Sequence, residues 1–332
     1  MSTHVSNSAL HTIPKTMQAA AIERFGGPEV FSLKTLPVAM PDPNEVLIAV
    51  NTSGVGGWDA DMREGWSPSG RTHFPLILGT DGSGVIAQVG SRVRRLQVGD
   101  KVYAYTWDNP KGGFYAEYVA TPSDNVAHIP KPLDLKHAGA IPVTGLTALQ
   151  GIDDVLHLKK DQTVIIHGAS GGVGTLAIQF AKLRGARVFA TALGKDGVKF
   201  ARELGADMTV DGHDKEISAA AREFDPDGVD AVLALVGGDA LERCIEAIRP
   251  GGRLAYPNGI EPEPKPRGKI EVISYDGKAG VREFEHLGRA VEAARPKVVI
   301  AADYTLAEVA RAHKRLAQGH VFGKIVLRVR GG

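Results

Sequence analysis

From Gln18 to about Pro130, apolar positions come in short runs: EVLIAV, GVIAQV, DKVYAY and FYAEYVA. Glycine and proline punctuate them in FGGPEV, PDPNE and LQVGD. Short β-prone runs cut by turn residues predict an all-β, barrel-like unit. The texture changes near Leu135. KHAGAIPVTGLTALQGIDDVL is rich in Ala and Leu and helical in period, with Pro142 and Gly145 near a break and shaping the backbone there. Strand-like and helix-like segments then alternate. TVIIHGA, ARVFATA, GVDAVLALVGG and RLAYPNG read as strands. GGVGTLAIQFAKLRG, VKFARELGA and DALERCIEAIRPGG read as helices, with Gly185 a stop for the first. Such alternation predicts a parallel sheet with helices on both faces. EPEPKPRGK breaks the pattern as an exposed proline-rich loop. FEHLGRAVEAARPKV and TLAEVARAHKRLAQG follow as amphipathic helices, and GKIVLRVR ends the chain as a strand. Spacing alone does not say whether that last strand rejoins the β-rich unit.

Composition narrows this picture. With 332 residues, the chain is long for one core, so two domains are expected. A net charge of +1 gives no electrostatic footprint for nucleic acid or for an acidic membrane face. The single cysteine, Cys244, leaves no internal disulfide and no cysteine-cluster zinc site. No apolar run approaches the roughly 18 residues that span a bilayer. The opening MSTHVSNSALHTIPKT lacks an apolar core and any arginine, so residues 1–16 read as a mobile tail and the protein as cytoplasmic.

The most informative stretch is TVIIHGASGGVGTLAIQFAKLRGARVFATA. Ala169-Ser170-Gly171-Gly172-Val173-Gly174 stands directly after a strand and opens a helix. It matches G-x-G-x-x-G with alanine first. Small residues let the turn close tightly and a pyrophosphate approach the backbone, and the helix N-terminus offers it free N–H groups. A glycine-rich turn that merely packs is the plainer alternative; the complete strand–helix–strand context favours the nucleotide. NAD sites place an Asp or Glu about 20 residues on, against the ribose hydroxyls. Here the second strand ends Ala190-Thr191-Ala192 with no acid, and Lys195 and Lys199 follow, so that Thr191, Lys195 and Lys199 are the expected cofactor contacts at this end. That favours a 2′-phosphate and so NADP (NADPH), although either lysine also suits an ordinary solvated helix.

At this point the chain resembles the medium-chain dehydrogenase/reductase superfamily, and within it the zinc-independent quinone oxidoreductase, zeta-crystallin-like, branch. The likeness runs from about Met17 to Val329. It is carried by MQAAAIERFGGPEVFSL, HFPLILGTDGSGVIAQVGSRVRRLQVGDKVYA, GGFYAEYVATP, VIIHGASGGVGTLAIQFAK and GHVFGKIVLRV. It implies an α/β chain: a GroES-like β-barrel domain over 17–134 and 300–332, on the substrate side, and a Rossmann doubly wound parallel-sheet domain over 135–299. A nicotinamide would lie between them, and a homodimer is expected. Zinc-dependent relatives bind a catalytic metal through Cys, His and Cys. Those positions fall here on Gly56, Thr80 and about Ala140, none of which makes a zinc site. The cysteine-rich lobe that holds structural zinc is replaced by YAYTWDNPKG. The resemblance therefore implies a chain without metal.

Without a Lewis acid, acceptors that delocalise their own negative charge are favoured, namely quinones and α,β-unsaturated ketones. Quinone reductases of this branch often read G-V-N-P-x-D-x-Y-x-R-x-G where this chain has GVGGWDADMREG. Asp59, Arg63 and Gly65 match; the Asn becomes Gly56 and the Tyr becomes Asp61. No proton donor is identified, and a solvent proton suffices for a hydroquinone anion. Gly56, Trp58, Asp59, Tyr105 and Trp107 are the expected substrate-lining residues, with Tyr115 a further candidate. Trp58 either stacks on a flat acceptor or packs under its loop. Asp59 is expected to orient the loop, because an exposed aspartate is ionised at neutral pH. By resemblance, further cofactor contacts fall on Thr144, Val236, Gly237, Asn258, Phe322, Gly323 and Lys324. A cofactor-binding protein with little catalysis and an enoyl-thioester reductase are the alternatives.

Overall fold

The computed structural model describes residues 13–66, 70, 72–214, 216–265 and 267–330. Most of the tail expected over 1–16 lies outside the described residues. The first strand, β1, is Thr16–Ile22, followed by β2 (Phe31–Pro37), β3 (Glu45–Val55), helix α1 (Gly57–Glu64) and β4 (Leu76–Ile77). Then come β5 (Asp81–Val89), β6 (Lys101–Tyr105), β7 (Tyr118–Pro122) and β8 (Val126–His128). Two helices, α2 (Leu135–Ala138) and α3 (Pro142–Gln150), lead into the alternating half. Pro142 does not break that helix but opens it at the first turn, where its missing N–H is not needed. Gly145 sits within it because a Cβ would lie 2.8 Å from Ile141 and 3.0 Å from Leu287.

The alternating half runs β9 (Thr163–His167), α4 (Gly172–Leu183), β10 (Arg187–Ala192), α5 (Gly194–Glu203), β11 (Met208–Asp211), α6 (Ile217–Phe224), β12 (Val229–Ala234), α7 (Asp239–Ile245), β13 (Ile248–Pro257) and β14 (Glu271–Tyr275). Its sheet is parallel, in the order β11-β10-β9-β12-β13-β14. The chain reverses direction across the sheet between β9 and β12, so a crevice opens at their carboxyl ends, where ligands bind in such sheets. Three differences from the sequence pattern stand out. β11 and β14 were not foreseen. The helix expected through Gly252 stops at Ile245, and its last residues instead begin β13, since Pro250 cannot extend a helix.

Helix α8 (Val281–Ala294) is followed by β15 (Ile300–Thr305), α9 (Val309–Ala317) and β16 (Lys324–Arg328). β15 was also unforeseen. β16 does return: it pairs with β3 antiparallel, Ile325 opposite Val55 and Arg328 opposite Thr52, within a seven-stranded sheet ordered β15-β16-β3-β5-β6-β8, with β7 also on β3. A second sheet, β2-β1-β4, completes the β-rich part. One buried cluster joins Tyr103 and Tyr105 of β6 to side chains of α3, α4 and α8, with Tyr103 edge-on to Phe284 at 5.0 Å. Fixed this way, the end of β3, the mouth of β9 and the start of β16 meet in one place.

Candidate active site

Small residues make the first wall. After β9 the chain turns through Gly168 (φ +86°), and Gly171 caps α4 in an extended conformation without any side chain. The first-turn N–H groups of α4 therefore face outward with nothing from the cap to satisfy them. Gly174 locks helix to strand, since a Cβ there would stand 2.5 Å from the Gly168 carbonyl oxygen and 2.6 Å from Ala169 Cα. Four further expected residues, Gly323, Thr144, Lys324 and Val236, close on this turn. Gly323 donates its N–H to the Ser170 carbonyl at 2.9 Å and has φ +94°, with the Val299 carbonyl only 2.3 Å from where a Cβ would be. The Thr144 methyl and the Lys324 side chain flank Gly172, at 3.1 and 3.5 Å from its Cβ position. Val236, which is 46% exposed, overhangs Gly168. Gly237 lets the proline-rich loop approach, its Cβ position being 2.1 Å from the Glu261 carbonyl.

The outer end of the crevice is basic and aromatic. Phe322 packs on Gly197 and Phe200 of α5, beside the exposed Lys195 and Lys199, and neither lysine enters an ion pair among the described residues. Two expected contacts turn out differently. Thr191 is buried and bonded to His167 Nδ1 at 2.6 Å, so its side chain faces the core and not the crevice. Asn258 donates its amide to Asp276 at 2.7 Å. An acid does stand near the end of β10, one strand over: Asp211 is paired in register with Ala192. Its carboxylate accepts the backbone N–H of His213, which, with that of Gly194, holds it below the usual carboxylate range.

The facing wall begins where β3 ends. Gly56 caps α1, and a Cβ on it would fall 2.3 Å from the indole of Trp58, which lies flat against it. The same indole donates its N–H to Thr80 Oγ1 at 2.7 Å. Trp58 is thus anchored across the loop as a half-buried residue, which is the packing role of the two expected for it. Trp107 stands 6.4 Å from Trp58, Tyr105 packs edge-on to Trp107 at 6.2 Å, and Trp66 does so at 5.7 Å. All three tryptophans of the chain therefore stand in one aromatic cluster, in which Trp66 and Trp107 line a small cavity with Thr80; Trp66, half exposed, is the member that spacing did not reveal. From the other side the Lys324 ammonium sits 4.4 Å from the centre of the Trp58 ring.

Comparison with known proteins fits this arrangement. Residues 42–131 match the family model described as an alcohol dehydrogenase GroES-like domain, and residues 172–267 the one described as a zinc-binding dehydrogenase. The quinone oxidoreductase of Pongo abelii is 30% identical over 333 residues, covering 94% of this chain and 98% of that one. The chain belongs to the quinone oxidoreductase branch of the medium-chain dehydrogenase/reductase superfamily. Solved structures agree with this family. An NAD-dependent alcohol dehydrogenase superposes with a TM-score of 0.87 at 33% identity, over 95% of this chain and 100% of that one. A mycobacterial protein complexed with NADPH does so at 0.84 and 26%, over 94% and 100%.

Within this family frame, the matched loop residues Asp59, Arg63 and Gly65 prove to be scaffold. Asp59 is not exposed, as had been expected, but fully buried. Its Oδ2 accepts the Gly56 N–H at 2.8 Å and the Tyr115 hydroxyl at 3.2 Å. Burial pushes its pKa up to about 7, with nearby Lys324 pulling the other way. Behind Tyr115, His313 on α9 bonds the phenol oxygen through Nε2 at 3.2 Å and Arg63 through Nδ1 at 2.9 Å. Since the guanidinium only donates, Nδ1 accepts, Nε2–H donates to the phenol oxygen and the Tyr115 hydroxyl donates to Asp59. Burial and Arg63 push His313 down to about 3, so the ring is neutral. Gly65 closes α1 at φ +118°. Tyr115 is consequently a buried strut and does not line the cleft.

Proposed function

We propose that this protein is an NADPH-dependent oxidoreductase that passes hydride to a quinone or an α,β-unsaturated ketone without a metal ion. The observation that carries the proposal is the indole of Trp58. At the position that corresponds to the first zinc ligand of metal-dependent relatives, Gly56 admits no side chain because Trp58 fills that space. At the position of the histidine ligand, Thr80 is engaged by the same indole. The donor set is thus replaced by an aromatic surface and an ammonium group, which suits a flat conjugated acceptor better than an alcohol that must become an alkoxide.

The nicotinamide nucleotide fits the opposite wall. The residues that would hold it are Ala169, Ser170, Gly171, Gly172, Val173 and Gly174 around the pyrophosphate, with Thr144, Val236, Gly237 and Phe322–Lys324 at its flanks. Bound there, its dihydropyridine ring supplies the hydride. Lys195 and Lys199 favour a nucleotide bearing the 2′-phosphate. Trp58, Tyr105 and Trp107 orient the acceptor and keep water from it.

The test is turnover of purified protein with NADPH and separately with NADH, against a panel of quinones and enones. Faster oxidation of NADPH by at least one quinone or enone is expected. A protein that binds NADPH yet oxidises it with no acceptor would be a nucleotide-binding protein instead.

A further inference from the structure

Among the described residues, three neighbouring buried side-chain atoms lack a hydrogen-bond partner: Lys324 Nζ, on the face of the Trp58 ring, and Asp81 Oδ1 and Asp59 Oδ1 near that ammonium. Lys324 is 5% exposed and both aspartates are 0% exposed. A buried, unpartnered ammonium is costly, and an arrangement that keeps one calls for a ligand. The geometry says where it is held. Gly54 on β3 has no room for a Cβ, because Asp81 Oδ1 would lie 2.4 Å away and Lys324 Cε 2.8 Å away. Asp81 uses its other oxygen to accept the Val143 N–H at 3.1 Å. The side chain of Lys324 crosses over Gly172 and ends on the face of Trp58, at 4.4 Å from the ring centre. The ammonium therefore lies on the acceptor side of the nucleotide turn, beside the hydroxyl-bonded indole.

We propose that Lys324 supplies the positive charge that a metal supplies in zinc-dependent relatives, its ammonium facing the carbonyl oxygen of an acceptor held against Trp58. This rests on the oxidoreductase function proposed above. Hydride addition to the β-carbon of an enone shifts the C=C pair toward the carbonyl and leaves a full electron pair on its oxygen; a proton from solvent then gives the saturated ketone. The Lys324 N–H groups, pre-positioned and shielded from water, stabilise that oxygen while it is negative. Asp81, which meets the Lys324 side chain across Gly54, and Asp59 flank the ammonium. Quinones spread the same charge over a second carbonyl, so they depend on Lys324 less.

The rival role is a contact to the nucleotide's pyrophosphate, as the resemblance implies for Phe322–Lys324. Calorimetry on nucleotide-free protein separates the two. The probes are para-nitrophenolate, above the pKa of the phenol, as a flat oxyanion, nitrobenzene as its neutral counterpart, and inorganic pyrophosphate. The wild type should bind the phenolate more tightly than nitrobenzene by roughly tenfold or more, as a charge-assisted hydrogen bond allows. Lys324→Met should abolish that preference and leave pyrophosphate binding intact, and Lys324→Arg should retain much of it. In turnover, Lys324→Met should lower kcat on an enone by roughly a hundredfold or more, lower it less on a quinone, and leave KM for NADPH unchanged. Weakened pyrophosphate binding with an unchanged phenolate preference would overturn the proposal. So would a wild type that shows no phenolate preference, a result that needs no variant to fold. Wild-type protein that turns over no acceptor would instead sink the proposed function, while the phenolate titration still reports on Lys324.

Discussion

The two walls of the cleft are built on opposite principles. The nucleotide wall is made by leaving side chains out. Gly171 and Gly172 leave the backbone bare where the phosphate of the proposed nucleotide would lie, and Gly174, which locks helix to strand, is required by Gly168 and Ala169 only a few residues away. The acceptor wall is made by bringing side chains in. Trp58, Thr80, Asp81 and Lys324 come from α1, the β4–β5 connection, β5 and β16, and only the sheet pairing unites them. A local device tolerates little change and is easily recognised. A distributed one can be replaced piece by piece, as in the proposed exchange of a metal donor set for an indole and an ammonium.

The sharpest way to break the first wall is Gly174→Val. Its Cβ would meet backbone atoms of Gly168 and Ala169 that cannot swing aside. We expect a loss of about 3 kcal/mol in urea unfolding together with loss of NADPH binding by calorimetry. On the second wall, Gly56→Cys should fail to create a ligand and should cost about 1–3 kcal/mol, because the new Cβ overlaps Trp58. Combined with Trp58→Ala, that overlap disappears, so the two losses should not add in a double-mutant cycle.

Asp59 gives a smaller effect, with a definite sign. Its pKa is raised by burial from 3.8 to about 7, so the fold prefers the protonated form. That contribution is complete below the unfolded pKa and disappears as pH rises through about 7. Tyr115, Asp81 and Lys324 face this carboxyl, with His313 and Arg63 behind Tyr115. Asp59→Asn should flatten the fall in melting temperature across that window. It should not abolish it, since burial raises the pKa of Asp81 in the same direction. Least in magnitude, replacing Lys195 and Lys199 together by alanine should raise KM for NADPH several-fold, at about 0.3–1 kcal/mol per exposed cation, and leave KM for NADH and the melting temperature unchanged.

The same contrast explains what could be read from the chain. The β9–α4–β10 unit is legible because its turn, helix and strands follow one another without interruption. β14 is not, since it is a half-exposed edge strand after a proline-rich loop, and β11 is only four residues long. The start of β13 was hidden inside a helical pattern that Pro250 ends. In the acceptor wall, Gly56 and Thr80 could be placed by resemblance, but nothing in the spacing says that Trp58 covers one and bonds the other. Nor does it say that Asp59 is buried: an aspartate in a glycine-rich loop looks solvated until Tyr115, from a distant turn, closes over it. Resemblance assigns Lys324 to the nucleotide, and only its side-chain path, over Gly172 to the face of Trp58, sets the ammonium beside the indole.

The central claim is that an indole and a lysine stand where relatives carry zinc. The most direct measurement is NADPH oxidation by a reactive quinone before and after exhaustive chelation, with zinc content determined on the same samples. The account predicts an unchanged rate from protein that holds no stoichiometric zinc. A rate that falls on chelation and returns with added zinc would contradict it.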